Sequence, residues 1–356
     1  MLHSVIMAGG IGARFWPLSR RQKPKQLLDL LGEGTLLEQT ITRIAPLIPE
    51  TERWIVTNQE QMRRMQDAIP SLRADRFILE PIGRNTAPAI GLSAVRLLAY
   101  DPDAVMVVLP ADHRIDHIDE FRTALTTAAN MVSDSDILAT IGMTPSRPET
   151  GYGYIQLDRK AKQPTSGAYW VKTFAEKPNL QTAKLFFESG EFLWNSGIFV
   201  WRADVILQQI AEHLPQWHSG LQKIAGALDT PEEAAVTQQV FAALKGISID
   251  YGVMEHAPRV AVVKGEFGWS DVGSWDEVWR LLAQDENGNA LRGNALMVKS
   301  RRNLILAQNR LIALVDMDDV IVVDAGDAIL ICPREKSQDV RAVVEALEKN
   351  GHDRVL

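Results

Sequence analysis

"MAGGIGARFWPLSRRQKPKQ", residues 7–26, decides how the rest of this chain is read. It follows a short apolar run, "SVIM", and packs three glycines, an arginine and a Pro-Lys pair into one loop. Gly9, Gly10 and Gly12 let main-chain N–H groups approach an anion with no Cβ in the way, and phosphate is the usual anion for such a loop. Arg14 adds a planar forked cation and Lys25 a point charge, a combination suited to a polyphosphate gripped from several sides. Neither common phosphate pattern is met. A dinucleotide fingerprint needs a third glycine where the chain has Arg14 and Phe15, and a Walker loop needs Gly-Lys-Ser/Thr. The plainer alternative is a tight strand–helix turn with solvated charges.

Outward from the loop, buried-strand runs ("SVIM", "RWIVT", "RFILE", "AVMVVLP", "DILATIG") alternate with helical spacing in "TLLEQTITRIAPLI", "NQEQMRRMQDAI" and "NTAPAIGLSAVRLLAY". This rhythm predicts an α/β fold: a mostly parallel sheet with helices on both faces, its ligands at the carboxyl ends of the strands. The glycine loop and "PADH" both fall there. From 150 to 285 the pattern is mixed, with strands "GYGYIQL", "YWVKTF" and "GIFVW" and helices around 181–189, 203–213 and 231–244. After "NGNALRGN" (287–294), five short apolar runs separated by Asn, Asp and Gly read as a small β-rich unit, a β-helix or β-roll, closed by a helix at about 337–349. We therefore expect two domains, 1–286 and 287–356.

Composition narrows the function classes. The 356 residues suffice for one large domain and a smaller one. Forty-five acids against 38 bases give −7, which argues against a general nucleic-acid binder. A single cysteine, Cys332, excludes an internal disulfide framework and any multi-thiolate zinc site, and fits a reducing compartment. "MLHSVIM" is too short for a signal peptide, and no window approaches the ~20 apolar residues of a membrane span. A cytoplasmic protein with no membrane partner is expected.

The signature loop, "EPIGRNTAPAI", "LPADH", "ETGYGYI", "FAEKP", "WNSGIF", "SIDYGVME" and "WSDVGSW" occur in chain order. Together they resemble the sugar-1-phosphate nucleotidyltransferases, and among them the mannose-1-phosphate guanylyltransferase branch. Ala13 stands where that family commonly has Thr or Ser, and Gly252 where Ala is common. The change at Ala13 removes one hydroxyl contact to phosphate, and that at Gly252 reads as neutral. The chain ends before the phosphomannose isomerase domain of longer bifunctional members, so no isomerase activity is expected.

The resemblance implies a Rossmann-like catalytic domain, a β-helix-like tail serving as dimer surface or lid, a homodimer, and substrates GTP and mannose 1-phosphate with magnesium (Mg2+). An exposed β edge would itself need covering. It assigns the metal to Asp112 and Asp271, which taken singly read as cap or turn residues. Glu80 or a backbone carbonyl would accept from guanine, and Asn85 and Thr86 would hold the base and ribose, unless they only cap the next helix. Gly153, Glu176 and Asn195 would meet the sugar, and Lys177 its phosphate; the plainer reading of Glu176-Lys177 is an exposed turn. His113 and His117, lacking a third ligand, read as ordinary loop or helix residues. Trp194, Trp269 and Trp275 read as core walls. Rival readings are the same chemistry on glucose 1-phosphate with UTP or dTTP, and a silent nucleotide-sugar-binding regulator, which should have lost Lys25, Asp112 or Asp271. An NAD-dependent Rossmann enzyme is more distant.

Overall fold

The computed structural model describes residues 1–356. Its first half alternates as the apolar runs predict: β1 (Leu2–Met7), α1 (Leu36–Ile44), β2 (Arg53–Thr57), α2 (Gln59–Ala68), β3 (Phe77–Leu79), α3 (Thr86–Tyr100), β4 (Val105–Pro110), the two-residue β5 (Arg114–Ile115), α4 (Ile118–Ser133) and β6 (Leu138–Met143). Then follow β7 (Tyr154–Asp158), β8 (Ala168–Ala175), α5 (Leu180–Ser189), β9 (Phe192–Arg202), α6 (Ala203–His213), α7 (Pro215–Ala227), α8 (Glu233–Ala243), β10 (Val260–Gly265), β11 (Trp269–Ser270) and α9 (Trp275–Leu281). Local chemistry sets several starts. Thr35 and Glu38 form a capping box on α1, while Asn58 and Asn179 cap α2 and α5.

Nine strands form one sheet in the order β3-β2-β1-β4-β9-β6-β10-β8-β7. Seven of them point one way and only β8 and β9 reverse, so the sheet is mixed while most of its strands stay parallel in direction. Both faces are covered. Val5, Trp54, Val56, Met106 and Val108 face one core, and Ile6, Ile55, Val107 and Leu109 the other. Period-two alternation with both sides buried is why these strands read as continuous apolar runs.

The C-terminal unit holds β12 (Ala290–Arg292), β13 (Ala295–Val298), β14 (Leu304–Leu306), β15 (Ile312–Val315), β16 (Val320–Asp324), β17 (Ile329–Pro333) and α10 (Val340–Lys349). β12, β14 and β16 stack in parallel, as do β13 and β15, giving β-helix-like coils with β17 antiparallel at one edge. A buried asparagine ladder ties the coils together. Asn303 donates N–H to Asn289 Oδ1 at 3.1 Å, and its own Oδ1 accepts Val320 N–H at 2.9 Å. A third core then joins this unit to the glycine loop: Phe15, Trp16, Val272 and Trp275 pack with Leu304, Ile321, Leu330 and Val340. Trp275 Nε1 donates to Trp16 O at 3.1 Å, and Trp16 Nε1 to Val355 O at 2.9 Å.

Sequence reasoning names neither α7 nor α9, nor the strands β5, β10 and β11, nor β12 within "NGNALRGN". No helix is long and apolar enough to cross a membrane.

Candidate active site

The site gathers where β1 and β4 end. The loop after β1 carries the glycines and reaches Lys25, and Asp112 follows β4 by two residues. The small β5–β11 pair, with Ser270 opposite Arg114, brings Asp271 to the same place. Lys25 Nζ donates to Asp112 Oδ2 and to Asp271 O, each at 2.8 Å. Gly12 makes that reach possible: its φ is +75°, and a Cβ there would lie 2.3 Å from Lys25 Cβ. Its glycine requirement is thus a close approach of side chain to backbone, whereas Gly9 and Gly10 are exposed and leave bare main chain toward solvent. Arg14 is exposed on the cleft wall with no ion-pair or hydrogen-bond partner for its guanidinium.

Electrostatics at the carboxylates are one-sided. Burial pushes the Asp112 carboxyl up, but Lys25, and behind it His113, outweigh this and hold it below the usual carboxylate range. Asp271 Oδ1 accepts Tyr152 O–H at 2.8 Å; burial and that carboxylate keep the phenol protonated, far above its ordinary range. Val272, next in the chain to Asp271, adopts φ 44° although β-branched; its side chain is buried in the third core and its N–H donates to Ser270 Oγ at 3.0 Å. Gly273 leaves Asp271 Oδ2 room, since a Cβ there would come within 2.8 Å of that oxygen. His113 is tied into the wall of the site. Its Nδ1 accepts Trp269 Nε1–H at 3.1 Å and burial drives its pKa down to about 4, so it stays neutral. No group of three His, Cys, Asp or Glu side chains converges anywhere in the chain. Two neighbouring carboxylates are the kind of hard-oxygen donors that a Mg2+ sharing phosphate and water ligands would take.

The cleft beyond the carboxylates, about 810 Å³, is lined by Arg14, Gly153, Glu176, Lys177, Asn195 and Asp271. Asn195 N–H donates to Gly153 O at 2.8 Å, and a Cβ on Gly153 would overlap the Glu176 carboxylate. The Glu176 side chain is largely covered and ion-paired to the exposed Lys177, whose φ of 47° turns the chain there. The pair is therefore part of the cleft rather than a solvated turn.

Glu80, Asn85 and Thr86 do not line this cleft. Glu80 is buried with Oε1 unpartnered, Oε2 lies 3.6 Å from where a Gly9 Cβ would be, and burial pushes its carboxyl up to about 7. It stands against the glycine loop and also lines a second cavity of about 760 Å³ between β3, α3 and α8. Asn85 caps α3, its Oδ1 accepting Thr86 N–H at 2.9 Å with φ at 70°. Thr86 Oγ1 accepts Ile249 N–H at 2.8 Å, a structural use that the capping alternative only half anticipated.

Several lining residues escaped sequence reasoning. Tyr152 and Asp250 lie inside quoted motifs without having been singled out, and Trp269, read as a core wall, lines the cleft. Arg147 bridges Glu149 and Glu277. Arg334, Ser337 and Gln338 come from the C-terminal unit, and no local signal marks them. Trp194 and Trp275 are buried as expected.

Known proteins share this architecture. Residues 3–288 match the family model Nucleotidyl transferase, and residues 293–347 the MannoseP isomerase/GMP-like beta-helix domain. A mannose-1-phosphate guanylyltransferase of Klebsiella pneumoniae is 38% identical over 98% of this chain and 74% of its own length. That of Escherichia coli strain K12 is 39% identical with the same coverage. A solved structure from Thermus thermophilus, described as a mannose-1-phosphate geranyltransferase, superposes with TM-score 0.87 at 34% identity, covering 98% of this chain and 99% of that one. The chain belongs to the nucleotidyl transferase family, with a beta-helix domain of the MannoseP isomerase/GMP-like kind at its C-terminal end.

Proposed function

We infer that this enzyme transfers GMP from GTP to α-D-mannose 1-phosphate, releasing pyrophosphate and forming GDP-mannose. The observation that carries the reading is the convergence of Lys25, Asp112 and Asp271 at the end of the signature loop. The attacking phosphate of the sugar is already anionic near neutral pH, its second pKa being about 6, so no side-chain nucleophile has to be activated. The protein's task is to hold two repelling anions in line and to stabilise charge at the α-phosphorus. The main-chain N–H groups of Gly9 and Gly10, with Arg14 and Lys25, hold the triphosphate. Asp112 and Asp271 would hold Mg2+, which when bound neutralises phosphate charge. Glu80 accepts from guanine, and Asn85 with Thr86 borders the ribose. Gly153, Glu176 and Asn195 take the mannose hydroxyls while Lys177 binds the sugar's phosphate.

In the same reading residues 1–286 are catalytic, and residues 287–356 complete the cleft and pair two copies into a homodimer. Leu296, Val298 and Val315 on β13 and β15 support the pairing: they are exposed, Val315 by 65%, and Val298 and Val315 stand in register. Phosphorylated substrates and a lone thiol support a cytoplasmic location in this reading.

The test is pyrophosphate release by purified protein with Mg2+, GTP and mannose 1-phosphate. Release with that pair only is expected. Faster release with glucose 1-phosphate and UTP or dTTP would overturn the substrate assignment while keeping the mechanism. No release from folded protein with any pair would make it a nucleotide-sugar-binding regulator.

A further inference from the structure

The sugar end of the cleft holds an acid to which the preceding reading gives no role. Asp250 opens a wide single turn of helix, Asp250–Met254, and lines the cleft beside Glu176, Lys177 and Asn195. Its Oδ1 accepts Asn195 Nδ2–H at 2.8 Å, leaving Oδ2 for another donor. Two main-chain anchors fix its position. Ile249 N–H donates to Thr86 Oγ1 at 2.8 Å, and Ile247 N–H to Arg84 O at 3.2 Å, so the loop bearing Asp250 is tied to the "RNT" turn. On the other side Asn195 is bonded to Gly153 O, and Gly153 abuts Glu176. Glu176, Gly153, Asn195 and Asp250 therefore form one continuous arc.

No cation forms an ion pair with Asp250: the Lys177 ammonium is bound to Glu176, and its charge is the smallest of the influences on Asp250. Burial, and then the Glu176 charge, push the Asp250 carboxyl up to about 6. A carboxyl held beside a second acid and lacking a cation weakens the fold unless hydrogen-bond donors arrive to satisfy it. Hexose hydroxyls are such donors, and two carboxyls on one arc match two neighbouring hydroxyls.

We propose that Asp250 is a sugar-reading residue, accepting a hydrogen bond from the hydroxyl of the hexose 1-phosphate adjacent to the one taken by Glu176, and so selecting the hexose epimer. The inference rests on this cleft end being the sugar site.

The experiment is steady-state kinetics of Asp250→Asn in the full-length protein, with mannose 1-phosphate, glucose 1-phosphate and GTP each varied. The amide keeps the Asn195 bond and removes the anionic acceptor. Loss of one hydrogen bond to a charged group predicts a rise of about 10- to 100-fold in KM for mannose 1-phosphate. The KM for GTP should stay within about twofold, and the preference for mannose over glucose should shrink by a similar factor. Asp250→Ser, with an unchanged melting temperature as the check, covers the case in which the amide fails to fold. Unchanged sugar KM and epimer preference in a folded variant would overturn the role of Asp250 alone. A rise in GTP KM with sugar KM unmoved would instead overturn the assignment of this cleft end to the sugar.

Discussion

Lys25 Nζ and Asp112 Oδ2 stand 2.8 Å apart, and the same ammonium bonds the main-chain oxygen of Asp271. The cation thus lies across the two residues proposed to bind metal, itself largely buried, with 9% of its side chain exposed. A buried ammonium with two fixed acceptors is preorganised, so incoming phosphate meets a charge that needs little reorientation.

Lys25→Ala should therefore raise the KM for GTP by at least about tenfold, the range for removing a charged hydrogen-bond partner. The KM for mannose 1-phosphate should move much less. Separate titrations of the two substrates check this, and the reverse order would remove Lys25 from the triphosphate.

Asp271→Asn is expected to lower kcat by about 100-fold or more, in the range seen when one transition-state stabiliser is removed. The fold should survive, because Tyr152 O–H can donate equally well to the amide oxygen. A melting curve and a Mg2+ titration check both parts. Near-normal turnover at saturating Mg2+ would take Asp271 out of the metal site.

Glu80 gives a pH dependence with a definite sign. Its carboxyl is raised to about 7 from an unfolded value near 4.5, so the folded state binds the extra proton. That contribution is complete below about pH 4.5 and is lost as pH climbs through 7, reaching about 3 kcal/mol of destabilisation by pH 8. Glu80→Gln should accordingly melt higher than the parent at pH 8 and alike at pH 4.5. If the carboxylate accepts from guanine, the parent's KM for GTP falls as pH rises through 7 and the Gln variant lacks that limb. A Gln variant with parental GTP affinity at every pH would exclude Glu80 from base reading.

Much of this could be read from residues because the strands are doubly buried and carry their signal locally: "AVMVVLP" can only be an interior strand once both of its faces are covered. The glycine loop stands out for the same reason, its glycines and cations being contiguous in the sequence. What escaped is what tertiary pairing creates. β5 and β11 are two residues each, too short to show a period, yet they set Asp271 beside Asp112. Gly12 carries no local mark of its close approach to Lys25, thirteen residues on. Arg334 and Gln338 enter the cleft only because the C-terminal unit docks on α9 and the loop after β1.

The apolar face of β13 and β15 predicts an interface. Replacing Leu296 and Val315 together by Asp should convert a dimer to a monomer in sedimentation velocity, since both side chains are exposed and neither substitution disturbs a buried contact. A parent that already sediments as a monomer, or a variant that stays dimeric, would place the interface elsewhere or remove it.

The third core makes a more demanding prediction, because it joins the β-coils to the glycine loop. Ile321 is fully buried in the cluster that holds Phe15 and Trp16, yet it lies on β16, far in sequence from the glycine loop. Ile321→Ala should cost about 2–5 kcal/mol in stability, the usual range for such a cavity. If the coils merely sit beside the catalytic unit, the folded variant will bind both substrates as the parent does. If they hold the loop in its posture, through Trp16, Trp275 and the backbone at Val355, the loosened loop will lose GTP affinity while mannose 1-phosphate affinity stays near parental. The second outcome is expected, since Gly12 and Lys25 must be kept within a contact that has no slack. Kinetics at a temperature well below the variant's melting point, with both substrates varied, decide between the two.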